Sequence, residues 1–389
     1  MTSCKKMLDV ELPRSLVSNE TAFSDDAMAT SATLGIYSGL MTSAGFAGGG
    51  SASITGLTGL SSDELSTYQS TVPNYLQLES NTLLPDNANV LSVWTTAYKS
   101  IYDANIVLEG LNNSTAVTKP VKDQLRGEAL FVRAFCHFYL VNIFGDAPLI
   151  MTTDYRANTV ATRTSKDAVY SQVEADLLEA EDLLSQNYIT AGRLRVNKAT
   201  AQAMLARVYL FRRNWTQADV YASKLIVNNT YQLETILSNV FLASSKEAIW
   251  QMTLPNSSTR STNEGAYFII EAAGDLNFNK IILKPGFTNL FESGDKRLLN
   301  WVKSFNTGSE TVYFPYKYKL KFISASAPEH STIFRLAEQY LIRAEARAHN
   351  DDLTGALDDI DKVRNRAGLT LLAITNPGIS KDNLLLAIE

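Results

Sequence analysis

Gly45 and Gly50 have the spacing of a phosphate-binding loop, in which backbone N–H groups cradle phosphate oxygens. Ser51 and Ala52 follow where that chemistry requires a lysine and a hydroxyl residue, so the match fails. Gly49-Gly50-Ser51 begins like a nucleophile elbow, but Ser53 occupies the position of its second glycine. Carboxylate pairs occur at Asp25/Asp26 and Asp63/Glu64. Cleavage of a glycosidic bond needs two carboxyls roughly 5–9.5 Å apart across a sugar, which sequence neighbours do not specify. Three histidines (His137, His330, His349) and two cysteines (Cys4, Cys136) are too few for a histidine-rich metal centre, a four-cysteine zinc site or a disulfide framework. Cys136 and His137 fall within an apolar helix, and Cys136 reads as a small buried hydrophobe. Asp358, Asp359 and Asp361 lack the glycine and glutamate of a calcium loop and read as a solvated helix face. No constellation supports catalysis, so the expectation is a protein that is not an enzyme and takes no cofactor or metal.

The scaffold holding these residues is predominantly helical in pattern. The chain has 389 residues, 45% of them apolar, with 35 basic and 40 acidic side chains and a net charge of −5. That is ordinary globular composition, without the basic excess that tracks a phosphate backbone, and nucleic acid is not an expected partner. No window holds the ~18 consecutive apolar residues of a membrane span. The length fits two or three domains or one elongated helical body. Ser3-Cys4-Lys5-Lys6 reads either as an exposed thiol near a terminus or as the tail of a lipoprotein signal, whose ~7–15-residue apolar segment does not precede it. A first helix is expected over 24–40. The glycine- and serine-rich stretch 42–62 is expected as a long surface loop, because glycine raises the entropy lost in any regular element. Trp94, Tyr98, Ile101, Asn105 and Leu108 share one face of a helix over 89–108. Over 122–144, Ala129, Val132, Cys136, Tyr139 and Ile143 form one stripe and Phe131, Phe135 and Phe138 a second, so this helix is covered on more than one side. Gly145-Asp146-Ala147-Pro148 stops it. Thr164-Ser165-Lys166-Asp167 has capping-box spacing and opens a helix through Val169, Val173, Leu177 and Leu184.

Helices over 198–213 and 215–227 carry a pattern that returns later: Ala206, Trp215 and Ala218 match Ala344, Leu353 and Ala356 at one constant offset. Small residues there let two antiparallel helices approach closely, as in tetratricopeptide repeats, and a generic helical hairpin with alanine contacts fits the spacing equally. Between the copies, 247–254 and 314–322 alternate with the period of short strands. Pro315, Lys317, Lys319 and Lys321 on one face suggest a protected sheet edge. The segment 293–308 reads as turn and loop. The expected fold is mainly α: tetratricopeptide-like helical hairpins carrying an irregular, loop-rich insertion with short β-strands. One body spans 1–389, with a helical part over 5–230, an aromatic-rich insertion over 231–332 and a C-terminal hairpin over 333–389.

Several segments resemble the SusD/RagB family of surface nutrient-binding lipoproteins of Bacteroidota. They are Ser3-Cys4-Lys5-Lys6 with Leu8-Asp9-Val10; Trp94 through Asn105; Gly127-Glu128-Ala129-Leu130-Phe131-Val132-Arg133-Ala134-Phe135; and His137-Phe138 through Leu149. Ala203 through Tyr209, Ala337-Glu338-Gln339-Tyr340-Leu341-Ile342-Arg343-Ala344-Glu345-Ala346 and Val363-Arg364-Asn365-Arg366-Ala367-Gly368-Leu369 continue the series in the family's order. Against the family pattern, the sequence is expected to be shortened at both ends. The resemblance implies lipidation of Cys4 and a place on the outer-membrane surface. Its implied partner is a SusC-like TonB-dependent transporter, over which the protein sits as a lid. Its implied ligand is an oligosaccharide, or a peptide in RagB-type members. A tetratricopeptide adaptor and a glycoside hydrolase are the competing function classes.

For a sugar ligand, aromatic rings supply contact area and amides or carboxylates bind hydroxyls. Trp94, Phe131, Phe135, Phe138 and Tyr209 lie on buried stripes. Tyr68 and Tyr75, after the glycine-rich stretch, and Trp301 and Phe305, in the insertion, have no such periodicity. The candidate ligand-binding residues are Tyr68, Tyr75 and Trp301 with Asp63, Glu64 and Asn74, and Gln77 nearby. The expectation is one surface cleft lined by the three aromatics; the competing reading is that each packs its own loop.

Overall fold

The computed structural model describes residues 19–389 except 43–45, 256, 277–279 and 326–327. Cys4 lies outside the described residues. In chain order the N-terminal elements are α1 (Asn19–Ala22), α2 (Asp26–Thr42), α3 (Ile54–Ser61), β1 (Leu65–Thr67) and α4 (Pro73–Glu79). The stretch expected as a loop thus contains a helix. In α3, Gly56 and Gly59 are buried, and a Cβ at Gly56 would lie 2.5 Å from the Ser51 carbonyl oxygen. Glycine serves here to let α3 fold back onto the turn before it, not to keep the chain loose.

The body of the molecule is a stack of helices: α5 (Ala88–Asn113), α6 (Lys119–Phe144), the short α7 (Tyr155–Thr159), α8 (Lys166–Leu183), α9 (Lys198–Phe211) and α10 (Trp215–Ile226). After the insertion come α13 (Leu336–His349), α14 (Leu353–Ala367), α15 (Leu372–Thr375) and α16 (Lys381–Ile388). Packing runs α5 on α6, α6 on α8, α8 on α9, α9 on α10, α10 on α13 and α13 on α14. The chain therefore leaves the stack after α10 and resumes it at α13, so the two matching hairpins are spatial neighbours. Their turns repeat in detail. Arg213 and Asp351 both take positive φ, at 56° and 65°. Asn214 and Asp352 then cap the second helices by accepting the backbone N–H of Gln217 (3.3 Å) and Gly355 (2.9 Å). Ala206, Ala218, Ala344 and Ala356 are fully buried. Ala206→Leu and Ala344→Leu should each overpack these contacts, at a cost of roughly 1–3 kcal/mol read as a lowered midpoint in thermal melts.

Buried ion pairs fix the order of the stack. Glu128, inaccessible to solvent, accepts from Arg195 (2.6 Å) and from the Tyr37 hydroxyl (2.7 Å). Arg133 on α6 holds Asp176 on α8 through two 2.8 Å bonds. Arg343 does the same with Asp359, which also accepts from Arg347 at 3.0 Å. Asp359 and Asp361 are therefore buried, the latter capping α15 through the Leu372 and Ala373 amides. Of the acidic triplet only Asp358 is exposed, which corrects the expectation of a solvated face. Ser165 precedes α8 as expected, but its side chain makes no cap bond; the Asp146 carboxylate takes the Lys166 amide instead, at 2.8 Å. Cys136 and His137 are both buried; burial pushes the Cys136 thiol well up and brings His137 down to about 3.

Between α10 and α13 lie β2 (Ala248–Met252), α11 (Asn263–Phe268), β3 (Ile281–Leu283), α12 (Lys296–Trp301), β4 (Val302–Asn306), β5 (Thr311–Pro315) and β6 (Ser331–Arg335). The sheets are two-stranded and antiparallel: β1 with β3, β2 with β6, and the β4–β5 hairpin. Pairing of β2 with β6 pins both ends of this region to the helical stack. The segment expected as loop, 293–308, holds α12 and β4. The strand expected over 314–322 ends at Pro315, and two of the three lysines beyond it are turned to partners in the protein: Lys319 donates to the Asn300 and Tyr316 carbonyls and Lys321 to Asp275.

Candidate functional site

Helix α12, the β1–β3 pair, α11 and β6 converge on a cavity of about 460 Å³, in the size range of small-molecule sites. One wall is a small aromatic cluster separate from the main core: Phe241, Trp301 and Tyr318, with ring centroids 5.6 Å and 5.3 Å from Phe241. Two polar atoms of these rings are engaged within the protein. Trp301 Nε1 donates to the Leu237 carbonyl at 3.0 Å, and the Tyr318 hydroxyl accepts the Thr332 amide at 2.9 Å. All three are buried, so what they offer a ligand is the small part of each ring that lines the cavity. Phe287 and Phe291, half-buried and 5.9 Å apart, line the cavity as well.

Charged groups surround the rings. Arg297 is held by Asp295 (2.7 Å) and Arg335 by the buried Glu247 (2.8 Å). Protein atoms crowd the Lys317 ammonium although water reaches the residue; this desolvation, with the nearby Arg335 and Arg297 charges, brings its pKa down to about 8. Glu64 is exposed and lines the cavity. Glu264, on α11, accepts from Ser331 Oγ at 2.7 Å and lies against Gly49, where φ is +73° and a Cβ would fall 2.4 Å from the carboxyl group. Burial pushes the Glu264 carboxyl up to about 7 against the opposing Ser331 hydrogen bond.

That shift has a sign. Glu264 holds its proton more tightly folded than unfolded, so its contribution to stability is full below its ordinary value of 4.5 and is lost as pH rises through about 7. Glu264→Gln mimics the protonated form. The stability difference between the variant and the native protein should therefore grow in the variant's favour between about pH 4 and pH 8. Thermal melts across that range check it, and a pH-independent difference would remove the basis for the assignment.

The structure brings Trp301 and Glu64 together on this cavity and leaves the other sequence candidates elsewhere. Tyr75 is buried in the main core on α4, its hydroxyl 3.3 Å from Ser51 Oγ. Asn74 is on the same helix, and its carbonyl accepts from the Asn87 side chain at 3.0 Å. Tyr68 is half-buried against a second small cluster that includes Ile269 and Phe314, together with Phe305. Asp63 is exposed and paired with Lys284. The expected single cleft lined by Tyr68, Tyr75 and Trp301 is therefore not formed, because Pro73 opens a helix whose inner face takes Tyr75 and Leu78 into the core. Phe241, Phe287, Phe291, Tyr318, Arg297, Lys317 and Arg335 were not among the sequence candidates. Among the described residues no group of His, Cys, Asp and Glu side chains is placed to hold a metal ion.

Two family models match the chain. Residues 47–210 match one described as starch-binding, SusD-like and associating with the outer membrane, and residues 299–389 match the SusD family. The chain belongs to the SusD/RagB family. It is 26% identical to SusD-like protein P25 of Formosa agariphila, over 95% of this chain and 80% of that protein. A shorter match, covering 37% of this chain and 27% of the relative, is 26% identical to starch-binding protein SusD of Bacteroides thetaiotaomicron. Among solved structures, a SusD superfamily protein from Parabacteroides distasonis superposes with a TM-score of 0.79 at 22% identity, over 93% of this chain and 84% of that one. A SusD-like carbohydrate binding protein from Bacteroides vulgatus gives 0.76 at 22%, over 94% and 79%. These superpositions show the fold, the tetratricopeptide-like stack of the SusD/RagB proteins. The contacts within this chain give physical meaning to the resembling segments: Glu128, Arg133, Glu338 and Arg343 are ion-pair residues of the helical stack.

Proposed function

We propose that the protein binds oligosaccharide nutrients at the cell surface, in the cavity beside Trp301, and delivers them to a SusC-like TonB-dependent outer-membrane transporter. In this reading the mature chain is anchored through lipid on Cys4 and catalyses no reaction. The observation that carries it is a cavity lined by aromatic rings and flanked by carboxylate, guanidinium and ammonium groups. A pyranose presents apolar C–H faces rimmed by hydroxyls, and such a wall with such a rim is its complement. The family description and the carbohydrate-binding relatives point the same way. Among the described residues no helix is long and apolar enough to cross a membrane.

The test is a binding screen of neutral and acidic oligosaccharides and short peptides against the chain lacking Cys4, by calorimetry. Phe291→Ala removes a half-buried ring on the cavity wall and should weaken the sugar bound by about tenfold, equivalent to ~1.4 kcal/mol, with little change in melting temperature. Unchanged affinity would move the site elsewhere. Glu64 and Glu264 share the cavity, so a hydrolase is the reading to exclude. Recovery of intact oligosaccharide after prolonged incubation supports binding alone, and appearance of shorter products would make the protein an enzyme.

A further inference from the structure

The charges around the aromatic wall do not balance. Arg297 is neutralised by its bidentate partner Asp295, with contacts of 2.7–3.0 Å. One carboxylate, Glu247, serves two guanidiniums, Arg335 and Arg366, and both of these lie 5.9 Å from the Trp301 ring. Glu247 is fully buried and its single negative charge offsets one of the two guanidiniums. Lys317 makes no hydrogen bond or ion pair among the described residues, and its ammonium lies 5.9 Å from the Phe241 ring. A cationic surplus of about two charges thus faces the rings, in a protein whose net charge is −5. The acidic residues of the cavity offset part of it: the exposed Glu64 attracts Lys317, and the Glu264 carboxyl is drawn toward its neutral form at physiological pH. A site for neutral sugar gains nothing from holding an ammonium unpaired among guanidiniums, since protein atoms crowd it and Arg335 and Arg297 repel it while only the exposed Glu64 attracts it. An anionic ligand group between Lys317 and Arg335 would resolve both.

We propose that the sugar taken by this cavity is acidic: an oligosaccharide bearing carboxylates or sulfate esters, its ring stacked beside Trp301 and its anionic group held by Lys317 and Arg335. The inference rests on the oligosaccharide reading above and adds the ligand's charge. An acidic peptide would meet the same cations, but the rings along the cavity, Phe287 and Phe291 with Trp301, suit the C–H faces of pyranose rings.

Calorimetry with matched pairs tests it: tetragalacturonate against its methyl ester, a sulfated carrageenan tetrasaccharide against its desulfated form, with maltotetraose and tetraglutamate alongside. At least one acidic sugar should bind about tenfold or more tighter than its neutral partner, and added salt should shrink that advantage. Lys317→Gln should abolish the advantage without lowering the melting temperature, because the residue is exposed and its ammonium makes no hydrogen bond or ion pair among the described residues. The two acidic pairs distinguish uronate from sulfate ester. Neutral sugars bound as tightly as their acidic partners, or an advantage that survives in Lys317→Gln, would overturn the inference and leave the oligosaccharide reading standing. Tetraglutamate bound in preference to every sugar, or no sugar bound at all, would overturn both.

Discussion

Replacing Glu247 by alanine should lower the free energy of unfolding by about 3–5 kcal/mol. The residue is inaccessible to solvent at the entry to β2. Its carboxylate accepts from Arg335 of β6 and Arg366 of α14, and one of its oxygens also takes the Glu234 amide at 3.2 Å. Its own carbonyl receives the Leu336 amide at 2.8 Å, at the start of α13. Four chain segments are thus tied through one side chain and its backbone. Alanine leaves Arg366, whose side chain is 5% exposed, with no carboxylate among the described residues, and an unpaired buried guanidinium is what makes breaking such a pair expensive. Glu247→Gln keeps the volume and two acceptor lone pairs but not the charge, and should fall between alanine and the native protein. Urea titration measures both. A loss below about 1 kcal/mol for alanine would mean that the arginines reach solvent on their own and that the carboxylate is not their anchor.

Much of this architecture was legible because helices advertise themselves by period. The stripes through Trp94 and through Phe131 needed only same-face spacing, and both helices exist, each longer than the stripe that betrays it. The repeated hairpin was legible in Ala206 and Ala344, and its turn chemistry goes further than spacing showed, with the same left-handed residue and the same cap in both copies. The spacing left open whether two distant copies belong to one array; only the packing of α10 on α13 answers that. Alternation was a poorer guide. Phe314, Tyr316 and Tyr318 alternate with lysines, yet pairing stops at Pro315. Beyond it the chain bends so that Tyr318 enters the cavity wall and Lys319 turns in to backbone carbonyls. Charge was poorer still, since Asp359 and Asp361 are as hydrophilic in sequence as Asp358 and differ only in what other helices bring to them.

The site shows the same division. Trp301 stood out because no periodic partner explained it, and it does line the cavity. Tyr75 looked equally unexplained, but Pro73 at a helix start and Leu78 on the same face as Tyr75 carried a local signal for a buried helix. Phe241, Phe287, Phe291 and Lys317 had no local signal. They come from separate stretches that meet only because β1 pairs with β3, β2 pairs with β6, and Arg366 reaches across from α14. Tertiary pairing of that kind leaves no trace in a window of sequence.

Trp250→Ala is the second large effect, expected to remove about 3–5 kcal/mol of stability. Trp250 is the largest fully buried side chain, and it is where the strand region locks into the helical stack. From β2 its ring meets Phe131 at 5.2 Å and Phe135 at 5.5 Å, both on α6, and Phe334 of β6 at 5.9 Å. Its Nε1 donates to the Leu194 carbonyl at 3.2 Å. Truncation opens a cavity among rings that cannot collapse into it, because Phe131 and Phe135 are fixed on a helix covered from several sides, and it orphans the Leu194 acceptor. The damage should be uneven. The α13–α14 hairpin keeps its own small core, centred on Ala344, Ala356 and Ile360, whereas β2 and β6 lose the ring that binds them to α6. Amide hydrogen exchange should therefore accelerate first in β2 and β6, before the α13–α14 hairpin. Since β6 carries Arg335 to the cavity, oligosaccharide binding should weaken in the same variant at temperatures where the helices remain folded. Uniform acceleration across all helices and strands would show that stack and strand region unfold as one cooperative unit, and that Trp250 holds no separable joint.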